Sequence, residues 1–187
     1  MKNYGFHTFL IVTFSVLFFS FIKKETIRKR SFPSKMVSAA SNPYYIIVDK
    51  SDYELKVYDE EGWYATYPVV FGSKDLGDKM REGDRKTPEG VYTIVSKRIH
   101  RKWDRFMMLD YPTKEDYAKF IYRKQRGLIP ANAKPGGGIG IHGVWPHEDY
   151  TIDQYQNWTE GCISMKNKDV EELYNIIPVG TKIYIRK

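Results

Sequence analysis

One cysteine and one histidine are the residues of this sequence best suited to covalent chemistry. Cys162 is the only cysteine and lies in the segment TEGCIS, residues 159–164, directly after Gly161. His142 lies 20 residues upstream, at the end of the run GIGIH and before Gly143. A nearby histidine can take the thiol proton and so supply a thiolate nucleophile at neutral pH. The sequence therefore predicts a Cys–His nucleophile, with an inert buried cysteine as the alternative.

A zinc site is the competing interpretation of the same region. Its ligands would come from His142, His147 and Cys162, together with Glu148 or Glu160. Gly143 and Pro146 lie between the two histidines and disfavour a helix that could present both to one metal ion. We therefore predict no metal, and a Cys–His nucleophile needs no cofactor.

Nucleic-acid binding is the function that the overall charge first suggests, because the 187 residues carry +7 and the pI is about 9.3. Residues 1–35 account for +6 of this charge, which leaves +1 for residues 36–187. The basic run 97–105 contains Trp103 and could contact nucleic acid, but it is more typical of a solvated strand edge or loop. A site for carboxylate-bearing ligands is its other functional interpretation. We predict no nucleic-acid partner.

The first 30 residues predict a targeting segment. Residues 5–22 are 18 uncharged, mainly apolar residues, a length at the lower limit for a membrane span. No small-residue cleavage site follows closely, so residues 1–30 predict an uncleaved signal-anchor rather than a cleaved signal peptide. Basic residues between 23 and 30 oppose export, because positive residues tend to stay in the cytoplasm. Residues 31–43 predict a linker and residues 44–187 a single domain.

Strand patterns dominate residues 44–187. Apolar, β-branched and aromatic runs predict strands at 44–49, 53–58, 63–71, 91–95, 106–109, 138–142 and 181–185. Thr113 and Asp116 can cap a helix that extends to about residue 126. Residues 167–177 carry apolar side chains at helical spacing, with Asn167 as the predicted cap. The fold class is therefore mainly β and mostly antiparallel, with two helices.

Several of these motifs together resemble the L,D-transpeptidase (YkuD-like) catalytic domain family over residues 44–187. The matching elements are His142-Gly143, the Gly161-Cys162 step after Thr159, IIVDK at 46–50, TPEG at 87–90 and VGT at 179–181. The resemblance implies the fold of that family, which is a mixed β-sandwich-like domain with its cysteine in a cleft under a lid.

The resemblance also implies a reaction on peptidoglycan stem peptides. In the family, the cysteine cleaves the bond between the third stem residue, a diamino acid, and the terminal D-Ala, and a thioester remains. Transfer to an amine of a neighbouring stem cross-links the cell wall, whereas transfer to water is L,D-carboxypeptidase activity. A non-catalytic wall-binding module is the alternative outside enzymes. Such a substrate implies export to the periplasm or the outer face of the cytoplasmic membrane, with membrane contact through the N-terminus.

Carried over from the family, the roles are as follows. Cys162 is the nucleophile, His142 the base and proton donor, Gly143 the carbonyl that orients the histidine, and Gly161 an oxyanion N–H donor. The substrate-binding residues would be Thr159, Trp145 and Trp158. The family often has His before the Gly-Cys step and Arg two residues after the cysteine, where this chain has Glu160 and Ser164. We expect Glu160 to point outward, because a carboxylate facing the sulfur would disfavour the thiolate.

Overall fold

The computed structural model describes residues 42–187. The predicted signal-anchor and almost all of the predicted linker lie outside the described residues. Between residues 42 and 187, no helix combines the length and the apolar character that a membrane crossing requires.

Eight strands and three helices form the described part of the chain. The strands are β1 (Tyr45–Asp49), β2 (Glu54–Asp59), β3 (Gly62–Pro68), β4 (Gly90–His100), β5 (Asp104–Leu109), β6 (Gly140–His142), β7 (Ile163–Ser164) and β8 (Lys182–Arg186). The helices are α1 (Lys114–Gln125), α2 (Tyr150–Asp153) and α3 (Asn167–Ile176). The mainly β fold class is confirmed. The four-residue helix α2 was not predicted, because a single turn carries no periodic signal.

The strands form one mixed sheet in the order β3-β2-β1-β8-β4-β5-β6-β7. Among the described strands, only the β1–β8 and β6–β7 pairs are parallel. The long strand β4 pairs with β8 through its first half and with β5 through its second, and its register shifts between Ile94 and Ser96. An isolated bridge between Val70 and Ser164 then joins the two ends of the sheet. The sheet therefore curves back on itself around a single core, which brings β7 close to the end of β3.

Helix α3 covers the β5 and β6 region of this core. Its side chains Val170 and Leu173 are completely buried, as is Ile177 after its last turn, and each such burial contributes about 1.5–3 kcal/mol. The predicted cap is one position off, because Asn167 is the first helical residue and Lys166 precedes it without a side-chain cap. The Asn167 amide oxygen instead accepts the Val144 N–H at 3.0 Å. It thus ties the helix to the loop after β6.

Helix α1 begins as predicted. The Thr113 hydroxyl accepts the Asp116 N–H, and the Asp116 carboxylate accepts the Thr113 N–H, so the two residues form a capping box. Asp116 also accepts the Tyr92 hydroxyl at 3.0 Å, which fixes the helix to β4.

Candidate active site

The parallel pair β6–β7 places Cys162 next to the strand that carries His142. The register sets His142 opposite Ser164 and Ile141 opposite Ile163. Cys162 immediately precedes β7 and therefore lies beside Gly140. Because side chains alternate between the faces of a sheet, this register puts Cys162 and His142 on the same face.

The His142 ring is oriented by the backbone of the next residue. Its Nδ1 lies 2.7 Å from the Gly143 carbonyl oxygen. A carbonyl can only accept, so Nδ1 carries the proton and Nε2 keeps the lone pair. The Ser164 hydroxyl donates to the same carbonyl at 3.2 Å. Ser164, at the position where the family often has Arg, therefore helps to fix the carbonyl that orients the histidine.

Three aromatic rings enclose His142. Trp103 stacks on it with ring centroids 4.6 Å apart, Phe106 lies 5.9 Å away and Trp158 meets it edge-on at 5.5 Å. The side chain is only 2 % exposed. This burial lowers the pKa of His142 to about 4, against the opposing effect of the Gly143 hydrogen bond. His142 is therefore a neutral imidazole at physiological pH, with Nε2 free to accept a proton.

Cys162 is protonated in the same environment. Its thiol donates to the Gly138 carbonyl with Sγ 3.4 Å from the oxygen. Burial raises the pKa of the thiol to about 11, while the Gly140 N–H and the charge of Lys79 act in the opposite direction. The resting pair is a thiol and a neutral imidazole, so any attack by this sulfur requires that it first give up its proton.

Hydrogen bonds close the turn that precedes the cysteine. The Thr159 hydroxyl donates to the Cys162 carbonyl at 2.7 Å and accepts the Gly161 N–H at 3.2 Å. Gly161 has a φ of +128°, and a Cβ there would lie 2.7 Å from the Lys86 carbonyl oxygen, so only glycine fits. Thr159 is 4 % exposed and braces the turn from within. The predicted oxyanion donor, the Gly161 N–H, is thus already bonded to Thr159, and its role in catalysis stays a prediction.

A charged loop, residues 72–90, packs against this turn. A Cβ on Gly72 would lie 2.3 Å from the carbonyl oxygens of both Arg85 and Thr159, which shows how closely the two backbones approach. The loop has no helix or strand before its last residue, Gly90, where β4 begins. It is held by ion pairs: Lys79–Asp84 at 2.8 Å, Lys86–Asp75 at 2.6 Å, Glu89–Lys50 at 2.8 Å and Asp78–Arg123 at 2.6 Å. Lys79 and Asp84 are almost completely buried, so this pair fixes the wall behind Gly161.

Glu160 points outward, as expected, with 79 % of its side chain exposed. Its carboxylate lies 3.5 Å from Arg85 Nε. Trp158 joins the rings around His142, and its backbone N–H donates to the Phe71 carbonyl. Trp145 is half-exposed and lies under Lys102 instead, so its contact with substrate remains a prediction.

The basic run 97–105 is used mainly within the domain. Lys97 donates to the carbonyls of Tyr174, in the last turn of α3, and of Ile177, just after it, and Arg105 pairs with Glu171. Trp103, from the same run, is the ring stacked on His142. No His, Cys, Asp and Glu side chains of residues 42–187 form a group of three or more that could hold a metal ion.

The residues that create the environment of the pair carry little recognisable signal in the sequence. Trp103, Phe106, Lys79 and Arg85 reach the site from segments 56 to 83 residues away from Cys162, with no motif that links them to it. The only available signal is the mixture of charged residues and glycine at 83–90, which by itself is typical of a turn. That loop includes TPEG, residues 87–90, one of the motifs of the resemblance.

A mainly β domain with a partly buried cysteine beside a backbone-oriented histidine is the class that this fold and site define. The model of the L,D-transpeptidase catalytic domain family (YkuD) matches residues 43–185, and the chain therefore belongs to that family.

Similar proteins agree with this membership. A Bacillus subtilis (strain 168) protein, YqjB, is 26 % identical over 145 residues, which are 75 % of this chain and 70 % of YqjB; its own assignment as an L,D-transpeptidase is provisional. The crystal structure of the helical cell shape determining protein Pgp2 from Campylobacter jejuni has a TM-score of 0.59 and 25 % identity, covering 79 % of this chain and 49 % of Pgp2. L,D-transpeptidase 3 from Mycobacterium tuberculosis shares the fold, with a TM-score of 0.52 and 14 % identity over 79 % of this chain and 61 % of that one. The chain spans only about half the length of the Pgp2 structure.

Proposed function

We propose that this protein is a cysteine acyltransferase that acts on peptidoglycan stem peptides, as an L,D-transpeptidase. Cys162 attacks the carbonyl carbon of the third stem residue, and His142 Nε2 takes the thiol proton. The C–N bond to the terminal D-Ala breaks, and His142 returns the proton to the D-Ala amine as it leaves. An amine of a second stem then attacks the thioester, which restores the thiol and completes the cross-link.

The observation that carries this proposal is the His142 Nδ1 contact with the Gly143 carbonyl. It leaves Nε2 as the basic nitrogen on the strand beside Cys162. Because the imidazole is neutral and enclosed by aromatic rings, it can accept the thiol proton without first losing one to water.

Mass spectrometry of the protein mixed with a disaccharide-tetrapeptide tests the proposal. We expect the mass of Cys162 to rise by that of the disaccharide-tripeptide acyl group, and cross-linked dimers to accumulate. Shortened stems without dimers would identify an L,D-carboxypeptidase. If neither the wild type nor Cys162→Ala forms an adduct, the non-catalytic wall-binding module is the hypothesis that remains.

We also infer that the domain works outside the cytoplasmic membrane, held there by residues 1–30. This inference is supported by the proposed substrate, which is an exported polymer. We give the substrate more weight than the basic residues after the apolar stretch, which predict the opposite topology. Protease accessibility of residues 44–187 in intact spheroplasts tests this inference. Full protection of the domain, with cleavage only after lysis, would show that it faces the cytoplasm.

A further inference from the structure

Arg85 differs from the other cations of the charged loop in its partner. Lys79 and Lys86 pair with acids of the same loop, but the Arg85 side chain reaches the turn at residues 159–162 that precedes and includes Cys162. Its Nε donates to the Thr159 carbonyl at 3.2 Å and lies 3.5 Å from a Glu160 carboxylate oxygen. Thr159 in turn bonds Cys162, so the guanidinium stands at the rim of the site.

The backbone at Arg85 is held in a conformation that arginine seldom adopts. Its φ is +58°, in the left-handed region that favours Gly, Asn and Asp. The surrounding loop imposes this conformation, since the Arg85 carbonyl packs on Gly72 and Asp84 accepts the Lys86 N–H at 3.0 Å. Unfavourable conformations of this kind concentrate at functional positions.

The guanidinium has capacity for a further ligand. Its side chain is 45 % exposed, and only Nε has a hydrogen-bond partner among residues 42–187. The two terminal NH₂ groups remain available to bind a carboxylate in the bidentate geometry that arginine favours. Glu160 is a weak competitor, because an ion pair this exposed contributes little.

On the basis of the proposed function, we propose that Arg85 binds a carboxylate of the stem peptide and thereby sets substrate specificity. Two carboxylates of the donor stem have the charge and geometry that a guanidinium binds. One is the C-terminal carboxylate of the D-Ala that leaves, and the other is a side-chain carboxylate of the third residue, where the diamino acid carries one.

Steady-state kinetics with three tetrapeptides test this assignment. The first keeps both carboxylates, the second has an amidated D-Ala, and the third has an amidated third-residue side chain. We expect Arg85→Asn to raise KM and lower kcat/KM for the first peptide about 10- to 100-fold, the usual effect of losing a charge-assisted hydrogen bond. It should also abolish discrimination against one of the amidated peptides, and the peptide affected identifies the carboxylate.

Asparagine tolerates the left-handed conformation, so this variant should keep the loop folded, and an unchanged Tm verifies it. Arg81→Asn is the matched control, since Arg81 is an exposed cation of the same loop that bonds the adjacent Glu82 carbonyl. Arg81→Asn should leave kcat/KM unchanged. Glu160→Gln removes the competitor and should lower KM by up to about fivefold.

The assignment is overturned if Arg85→Asn still discriminates between the free and amidated peptides as the wild type does. It is also overturned if all three peptides lose activity equally, because the role would then be structural. Calorimetry of peptide binding to Cys162→Ala, with and without Arg85→Asn, tests the carboxylate site independently of the catalytic proposal. Without any acylation of Cys162, loss of that binding would still support the carboxylate site.

Discussion

The proton between Cys162 and His142 is predicted to stay on sulfur in the resting protein. The thiol pKa is raised from 9.0 to about 11, and the imidazole pKa is lowered from 6.5 to about 4. For two groups that titrate independently, the difference of about 7 pKa units corresponds to about 10 kcal/mol for proton transfer from sulfur to nitrogen, and attraction between the resulting thiolate and imidazolium reduces this cost. In water the two groups would differ by about 2.5 pKa units, or about 3.4 kcal/mol. Burial of the pair therefore adds about 6 kcal/mol.

Replacement of Trp103 with leucine tests the physical cause of this difference at the histidine. The tryptophan ring covers one face of His142, and the smaller side chain admits water. Rehydration should move the pKa of His142 from about 4 toward 6.5, a change of up to about 3 kcal/mol in the protonation equilibrium. Trp63→Leu, a partly exposed tryptophan of β3, should leave the pKa of His142 near 4.

Two measurements check the prediction. NMR titration of the imidazole resonances, assigned with a His142→Asn variant, reports the histidine directly. The rate of Cys162 alkylation by iodoacetamide in the wild type should rise about tenfold per pH unit through pH 9, because only the thiolate reacts. An alkylation rate that reaches a plateau below pH 8 would mean a stable thiolate–imidazolium pair. That result, or a wild-type His142 that titrates near 6.5, would refute the reasoning.

Three further predictions concern stability and support of the site. The folded protein disfavours protonated His142, so the free energy of unfolding should fall by up to about 3 kcal/mol as the pH decreases from 6.5 to 4, and urea titrations of His142→Asn should lack this component. Ser164→Ala removes a donor to the Gly143 carbonyl and should lower kcat about fivefold with KM unchanged; a rise in KM alone would contradict its role in support of the histidine. Thr113→Ala removes the cap of α1 and should cost about 1 kcal/mol in thermal unfolding while Cys162 acylation is unaffected.

Local patterns in the sequence were sufficient for seven of the eight strands of residues 42–187 and for the capping box at Thr113, but not for the two-residue strand β7. These features depend on residues within a few positions of one another, such as alternating burial along a strand or a hydroxyl three residues before a carboxylate. Ends of elements were less predictable. Strand β4 runs to His100 rather than Val95, because pairing with β5 extends it, and pairing is not visible in one segment alone.

The sequence by itself determined the candidate reactive atoms, since Cys162 is the only thiol and Gly161 and Gly143 mark the turns beside it. The tertiary structure decided the chemistry that these atoms can perform. A pKa depends on everything that displaces water around a group, and the rings around His142 and the ammonium of Lys79 come from distant segments. Only the closure of the sheet and the packing of the charged loop bring them, together with Arg85, to the cysteine.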